Sequence, residues 1–331
     1  MSSFIQPTDR ILLIRMSAMG DIIHTLPAAA TLKKSFPGSR LAWLVAPRWI
    51  PLLRGNPYID EIVPFDRSNL SSLARAWRAA RAFRPRVAFD FQGLLQSAII
   101  GWVTKPEWFF GFDKAVAREP VAASFYTHRV AVRGPHRVQR NVQLAEHAGA
   151  TEITHDAWIP AGSPEGHLPS TPFVLTSPFA GWAGKEWPLE FYDHLGSLLR
   201  REGLALVANA SQDRATELHG LKNVQVHVSS IAGLIDATRR AEAVIGLDSG
   251  PVHLAAALKK PGVALYGPTD PVCTGPFGDT FEVLRADNAE TTYKRHGEIH
   301  VSMKKISAEE VADGLLRNIA HRRTHALVSR P

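Results

Sequence analysis

The chain has 331 residues, 45% of them hydrophobic and 21% charged, with 38 basic against 31 acidic side chains and a net charge of +7. The length suits two domains of ordinary size. A single cysteine, Cys273, excludes an internal disulfide and any cysteine-built metal cluster, and no apolar run reaches the roughly 18–20 residues that span a bilayer. The opening MSSFIQPTDR lacks a basic segment followed by a long apolar core, so a cytoplasmic location is expected. The positive excess suits an anionic partner (nucleic acid, anionic lipid or a phosphorylated substrate) or serves solubility alone.

In chain order, Ile11–Ile14 is the first buried parallel strand. MSAMGDIIHTLP follows, with Gly20 freeing the turn and Asp21 opening a helix through Leu32. Asp21 is either the helix cap or a general base at the sheet edge where open α/β sheets bind ligands; the helix N-terminus favours its charged form. The G-x-G-x-x-G dinucleotide fingerprint is absent. Leu41–Val45 is a second strand and Ile62-Val63 begins a third. Ser71–Phe83 is a helix with Arg75, Arg78 and Arg81 on one face, either solvated or set against anionic headgroups. Val87–Asp90 is a strand entering FQGLLQSAII, a turn and helix. The loop Gly111–Tyr126 carries Arg118 ahead of Glu119-Pro120, a candidate anion clamp. Val138–His147 is a helix ending at Gly149.

Residues 159–172, IPAGSPEGHLPSTP, hold four prolines and two glycines and mark a linker. The strand–helix alternation then restarts. Strands are expected at Phe173–Thr176, Leu204–Ala208, Val244–Leu247 and Val263–Tyr266, with helices from Pro188 to Leu199, from Asp213, and from Ile231 to Arg239. Ser307–Glu310 forms a capping box that opens a last helix to about Arg322. Two successive βα arrays argue for two doubly wound domains.

The most informative stretch is GLDSGPVHLAAALKKPGVALYGPTDP, Gly246 to Pro271. A strand ends at Asp248-Ser249-Gly250, and Pro251 suits a first helical position. Such a turn is either an ordinary crossover with a capping Ser249 or an anion site at the positive end of a helix.

These motifs together resemble bacterial glycosyltransferase family 9, the lipopolysaccharide heptosyltransferases, over nearly the whole chain. The resemblance rests on MSAMGDIIHTLP, FDFQGLLQSA, AREPVAASFY, GKEWP, LDSGPVHLAAAL and YGPTDP in order. Arg118-Glu119-Pro120 and Thr269-Asp270-Pro271 are similar to the type that adds the first heptose to Kdo. The resemblance implies a GT-B fold of two Rossmann-like domains: an acceptor domain over 1–160, a linker over 161–172, and a nucleotide-sugar domain over 173–305. The helix over 306–324 would cross back to the first domain.

The resemblance further implies inverting transfer from ADP-heptose to a Kdo-lipid A acceptor, with peripheral contact on the inner face of the cytoplasmic membrane. One displacement at the anomeric carbon needs a base for the acceptor hydroxyl and positive charge for the departing ADP. Asp21 takes the base position and Lys185 the phosphate position; the plain alternative for Lys185 is a surface lysine beside Trp187-Pro188. Asp248, Ser249, Gly250 and His253 match a D-[TS]-G-x-x-H turn. The Ser249 and Gly250 N–H groups are expected to face the diphosphate and Asp248 the sugar hydroxyls, while His253 meets a phosphate or braces the turn. Gly20, Arg118 and Arg67 fall on the acceptor side. Two positions depart from the family: Gly181 stands where a threonine is common, and Ser211, with Asp213 two residues on, where a ribose-binding glutamate is common. Both concern the donor. No metal or obligatory cofactor is expected. Another family 9 donor or acceptor, and a catalytically silent sugar-nucleotide or lipopolysaccharide binder, are the competing readings. No nucleic-acid module is legible.

Overall fold

The computed structural model describes residues 4–66, 70–292, 294–295 and 297–328. It divides into two compact units, Met1–Pro160 and Ala161–Pro331. In the first, strands β1 (Arg10–Ile14), β2 (Arg40–Val45), β3 (Glu61–Pro64), β4 (Val87–Asp90), β5 (Trp108–Phe112) and β6 (His128–Val130) alternate with helices α1 (Met19–Ile23), α2 (Leu26–Ser35), α3 (Leu70–Ala82), α4 (Leu95–Val103) and α5 (Arg137–His147). The sheet is parallel, in the order β3-β2-β1-β4-β5-β6. Ile11 pairs with Leu41 on one side and Val87 on the other. Such strands are covered on both faces, which is why Ile11 to Ile14 is uninterrupted hydrocarbon with no exposed side chain.

The single helix expected from Asp21 to Leu32 is two. Pro27 has no N–H to continue an earlier helix, and α2 restarts with it in the first turn. Thr25 closes the joint by donating its hydroxyl to the Asp21 carbonyl at 2.8 Å. Gly20 lies inside α1, so it does not supply a left-handed turn. One face of the sheet carries α3, α4 and the short 120–125 turn, whose Ala76, Ala80, Ala98 and Ala122 pack on Leu12, Ile14 and Phe109.

The second unit repeats the plan. Its elements are β7 (Phe173–Thr176), α6 (Leu189–Arg201), β8 (Ala205–Ala210), β9 (Val224–Val228), α7 (Ile231–Arg240), β10 (Ala243–Leu247), α8 (Gly250–Ala257), β11 (Gly262–Tyr266), α9 (Pro271–Thr274), β12 (Phe281–Arg285), α10 (Val301–Lys304) and α11 (Ala308–Val328). The order β12-β11-β10-β7-β8-β9 is that of the first sheet with its strands counted afresh. Trp187, Tyr192, Leu195 and Leu199 pack against Leu206, Ile245 and Leu265. The proline-rich stretch is tied to α7: Ser163 N–H donates to the Ala232 carbonyl at 3.0 Å and the Ser230 hydroxyl to Glu165 at 2.7 Å. Helix α11 opens on the expected capping box, the Ser307 and Glu310 N–H groups each meeting the other's side chain at 3.2 Å or less. It packs on α6, β10, β11 and β12 of its own unit. In both sheets the strand order reverses beside the first strand of the unit, between β1 and β4 and between β7 and β10. The carboxyl ends of those strands are where open α/β folds hold ligands.

Candidate functional site

In the first unit the β1 and β4 loops are sewn together. The Gln92 side-chain carbonyl accepts from the Met16 and Ser17 N–H groups at 3.0 and 3.2 Å. Asp90, fully buried at the end of β4, accepts from the N–H groups of Gln92 and Gly93 and from the Ser97 and Tyr126 hydroxyls. Burial still pushes its carboxyl up, and the same burial pushes the Tyr126 phenol up. Gly93 has φ +68°, and a Cβ there would stand 3.1 Å from the Arg118 nitrogen, so the turn demands glycine. That close approach lets Glu119 N–H reach the Gly93 carbonyl at 2.9 Å and leaves Arg118 exposed beside the turn.

Asp21 projects from the first turn of α1. Arg15, from the end of β1, sits 2.8 Å away, and Arg137, the first residue of α5, pairs with the same oxygen. Arg15 is 8% exposed and also donates to the Phe91 carbonyl; Arg137 is 43% exposed. Burial alone pushes the Asp21 carboxyl up, but the two guanidiniums outweigh it and hold it well below the usual carboxylate range. The capping alternative has a weak counterpart, one contact from Ala18 N–H at 3.4 Å. Arg67 lies outside the described residues.

In the second unit Lys185 reaches from the loop after β7 to the loop after β10. Its Nζ lies 2.5 Å from Asp248 Oδ2 and donates to the Asp248 carbonyl at 3.2 Å. The surface-lysine alternative fails, because the ammonium is mostly buried against Asp248 and within 5.9 Å of the Trp182 ring. His253, buried on α8, sits 4.0 Å from the other Asp248 oxygen, and the Tyr266 hydroxyl 3.5 Å from it. Ser249 precedes α8 but its hydroxyl makes no capping bond; it is buried without a hydrogen-bond partner. The Ser249 N–H turns back to the Leu247 carbonyl at 2.6 Å, so it is spent within the turn, contrary to the expectation that both it and Gly250 face a diphosphate.

Gly181 is exposed, with open space where a Cβ would stand. Ser211 and Asp213, both exposed after β8, are hydrogen-bonded to each other, which holds the Asp213 carboxyl below its ordinary value. Sequence reasoning missed four residues that position these loops: Arg15, Arg137, Glu186 and Arg214. Arg137 is 116 positions from its partner. Glu186 and Arg214 pair at 3.0 Å, the guanidinium lying 3.6 Å over the Phe179 ring, and so clamp the β7 and β8 loops together. The only signal for them was Glu186 within GKEWP. No group of three or more metal-ligating side chains is found among the described residues.

A carboxylate with cationic partners at one switch point, and a lysine with a buried unpartnered hydroxyl at the other, suit group transfer from a phosphorylated donor. The chain is similar to the Escherichia coli heptosyltransferase WaaC with ADP, at 25% identity and TM-score 0.73 over 93% of this chain and 99% of that one. With two units of this topology, the protein is a glycosyltransferase of the GT-B fold. The family model of glycosyltransferase family 9 (heptosyltransferase) matches residues 73–303. Lipopolysaccharide heptosyltransferase 1 of Pseudomonas aeruginosa is 32% identical over 301 residues, 84% of each chain. The protein of that name from Escherichia coli K12 is 29% identical over 302 residues, 84% of this chain and 93% of the relative. The chain belongs to glycosyltransferase family 9.

Proposed function

We propose that this enzyme transfers heptose from ADP-heptose, with inversion, to Kdo of a lipid A-linked acceptor during lipopolysaccharide core synthesis. The observation that carries the reading is Lys185, paired at 2.5 Å with Asp248 beside the unpartnered Ser249 hydroxyl at the start of α8. In the reaction the acceptor hydroxyl attacks the anomeric carbon and gives its proton to Asp21. The bond from that carbon to the β-phosphate oxygen breaks, and the electron pair leaves with ADP. Lys185 supplies the positive charge that grows in value as the diphosphate departs. The lysine and the helix start serve where other enzymes use a divalent ion, so chelation is expected to leave turnover unchanged. Asp21, held charged by two arginines, is a weak base in the empty site. It accepts the proton late, after bond formation has made the hydroxyl acidic. Arg118 meets an acceptor carboxylate or phosphate. Because the acceptor is amphiphilic, the enzyme works at the inner face of the cytoplasmic membrane.

A second reading, a family 9 transferase with another donor, is favoured by Gly181 and by the Ser211–Asp213 pair at the donor positions. Incubation with Kdo-lipid A and, separately, ADP-heptose, ADP-glucose and UDP- and GDP-sugars tests both. A heptose mass gain from ADP-heptose alone supports the first reading, turnover with another donor moves the function to the second, and silence with all of them refutes the first and points to another acceptor or an inactive enzyme.

A further inference from the structure

We infer that the outer surface of the α3–α4 layer is a docking face for an anionic phospholipid bilayer. Helix α3 contains four arginine or tryptophan side chains and no acidic one. Its alanines at 76 and 80 face the sheet, which turns Arg78 and Arg81 outward. Trp77 is 40% exposed, and Arg81 lies 5.5 Å from its ring centre. Across a cavity of about 370 Å³ stands Trp102 of α4, 57% exposed and edge-on to Phe125. A second cavity of about 610 Å³ shares Trp77, Arg81 and Lys105 with the first and adds Arg78 and Arg84.

None of these four basic groups takes part in an ion pair among the described residues: Arg78, Arg81, Arg84 and Lys105 face solvent, and the nearby Glu107 is held by Arg86 at 2.8 Å. Two half-exposed indoles beside an unneutralised basic belt suit the headgroup level of a bilayer, where the ring meets the acyl boundary and the cations meet phosphates. A second copy of the chain is disfavoured because a self-complementary contact would set this belt against itself. A nucleic acid would meet the cations, but Trp77 and Trp102 border an apolar hollow rather than a stacking platform. The inference shares with the proposed function only the amphiphilic acceptor.

The test is co-sedimentation of the full chain with phosphatidylglycerol–phosphatidylethanolamine vesicles and with phosphatidylcholine vesicles, over a salt series. Binding is expected to the anionic vesicles and to weaken with salt. Removing one surface cation should cost about fivefold in partition, so Arg78→Gln/Arg81→Gln should cost about twenty-fivefold. Brominated lipid should quench the wild type more than Trp102→Ser. Transfer to a soluble deacylated acceptor should be unaltered in these variants. Equal binding to neutral vesicles, wild-type partition by the double arginine variant, or retention by single-stranded oligonucleotide without vesicle binding would each overturn the inference. Transfer that fails with every donor while vesicle binding follows this pattern would sink the proposed function and leave the surface standing.

Discussion

Replacing Arg137 with alanine separates a residue that tunes the base from one that binds substrate. Two unit charges about 4 Å apart interact by about 1 kcal/mol in bulk water and about 4 kcal/mol at an effective dielectric of 20. Arg137 is 43% exposed, so its pairing with Asp21 belongs near the lower figure, about 1 kcal/mol. The variant should therefore melt about 2–4 °C below the wild type. The folded-state carboxyl of Asp21 is depressed, so this stability is present above the unfolded value of about 4 and is lost as pH falls below it. The melting difference should hold at pH 7 and narrow in acid. With Arg15 alone opposing it, Asp21 becomes the stronger base. The acid limb of kcat should move to higher pH, and kcat at pH 7.5 should stay within about threefold of wild type. Differential scanning calorimetry and a pH–rate profile with saturating acceptor read both effects. A hundredfold fall in kcat with the acid limb unmoved would refute the reasoning and make Arg137 a substrate contact.

Asp21→Asn should lower kcat by about 10²–10⁴ while calorimetric affinity for the nucleotide-sugar persists; intact turnover would remove Asp21 from the base role. Lys185→Met should lower kcat by about 10²–10³, and a loss confined to KM would show that the ammonium binds the ground state and transition state alike. Ser249→Ala should leave the melting temperature of the empty protein unchanged or higher, since it deletes an unpartnered buried hydroxyl, yet weaken donor binding about fivefold; unchanged affinity would mean that the hydroxyl meets no ligand. Gly181→Thr, at a position with open space for a side chain, should fold normally and lower the donor KM if the missing hydroxyl is a phosphate contact.

The buried strands of both sheet centres were legible because parallel strands covered on both faces are continuous apolar runs, as at Ile11–Ile14 and Val263–Tyr266. Of the edge strands only β3 was read, from Ile62-Val63. In β5, Gly111 reads as a loop residue, but it is there because a Cβ would strike the Tyr126 ring at 2.2–2.5 Å. The edge strands β6, β9 and β12 are short or half-exposed and carry little of that signal. The break between α1 and α2 has a local signal in Pro27, which lacks the N–H that a continuous helix would need there. The site divides the same way. Lys185 and Asp248 stand out in short motifs, whereas Arg15, Arg137 and Arg214 acquire meaning only when folding brings them to a carboxylate. Local sequence reports what a turn contains but not which distant charge completes it.

Each switch point holds a carboxylate paired with cations: Asp21 with Arg15 and Arg137, and Asp248 with Lys185. An ammonium as buried as Lys185 would be costly to hold unpaired, and Asp248 at 2.5 Å neutralises it while the site is empty. On the proposed function, a diphosphate arriving at the start of α8 would compete with Asp248 for that ammonium, and an Asp248 oxygen released from the lysine would be free to accept from a sugar hydroxyl. Donor binding of that kind would be an exchange of partners for an ammonium that is already paired. Arg137 is the more exposed of the two guanidiniums that hold the Asp21 carboxylate charged, so loss of its pairing would raise the basicity of that carboxylate.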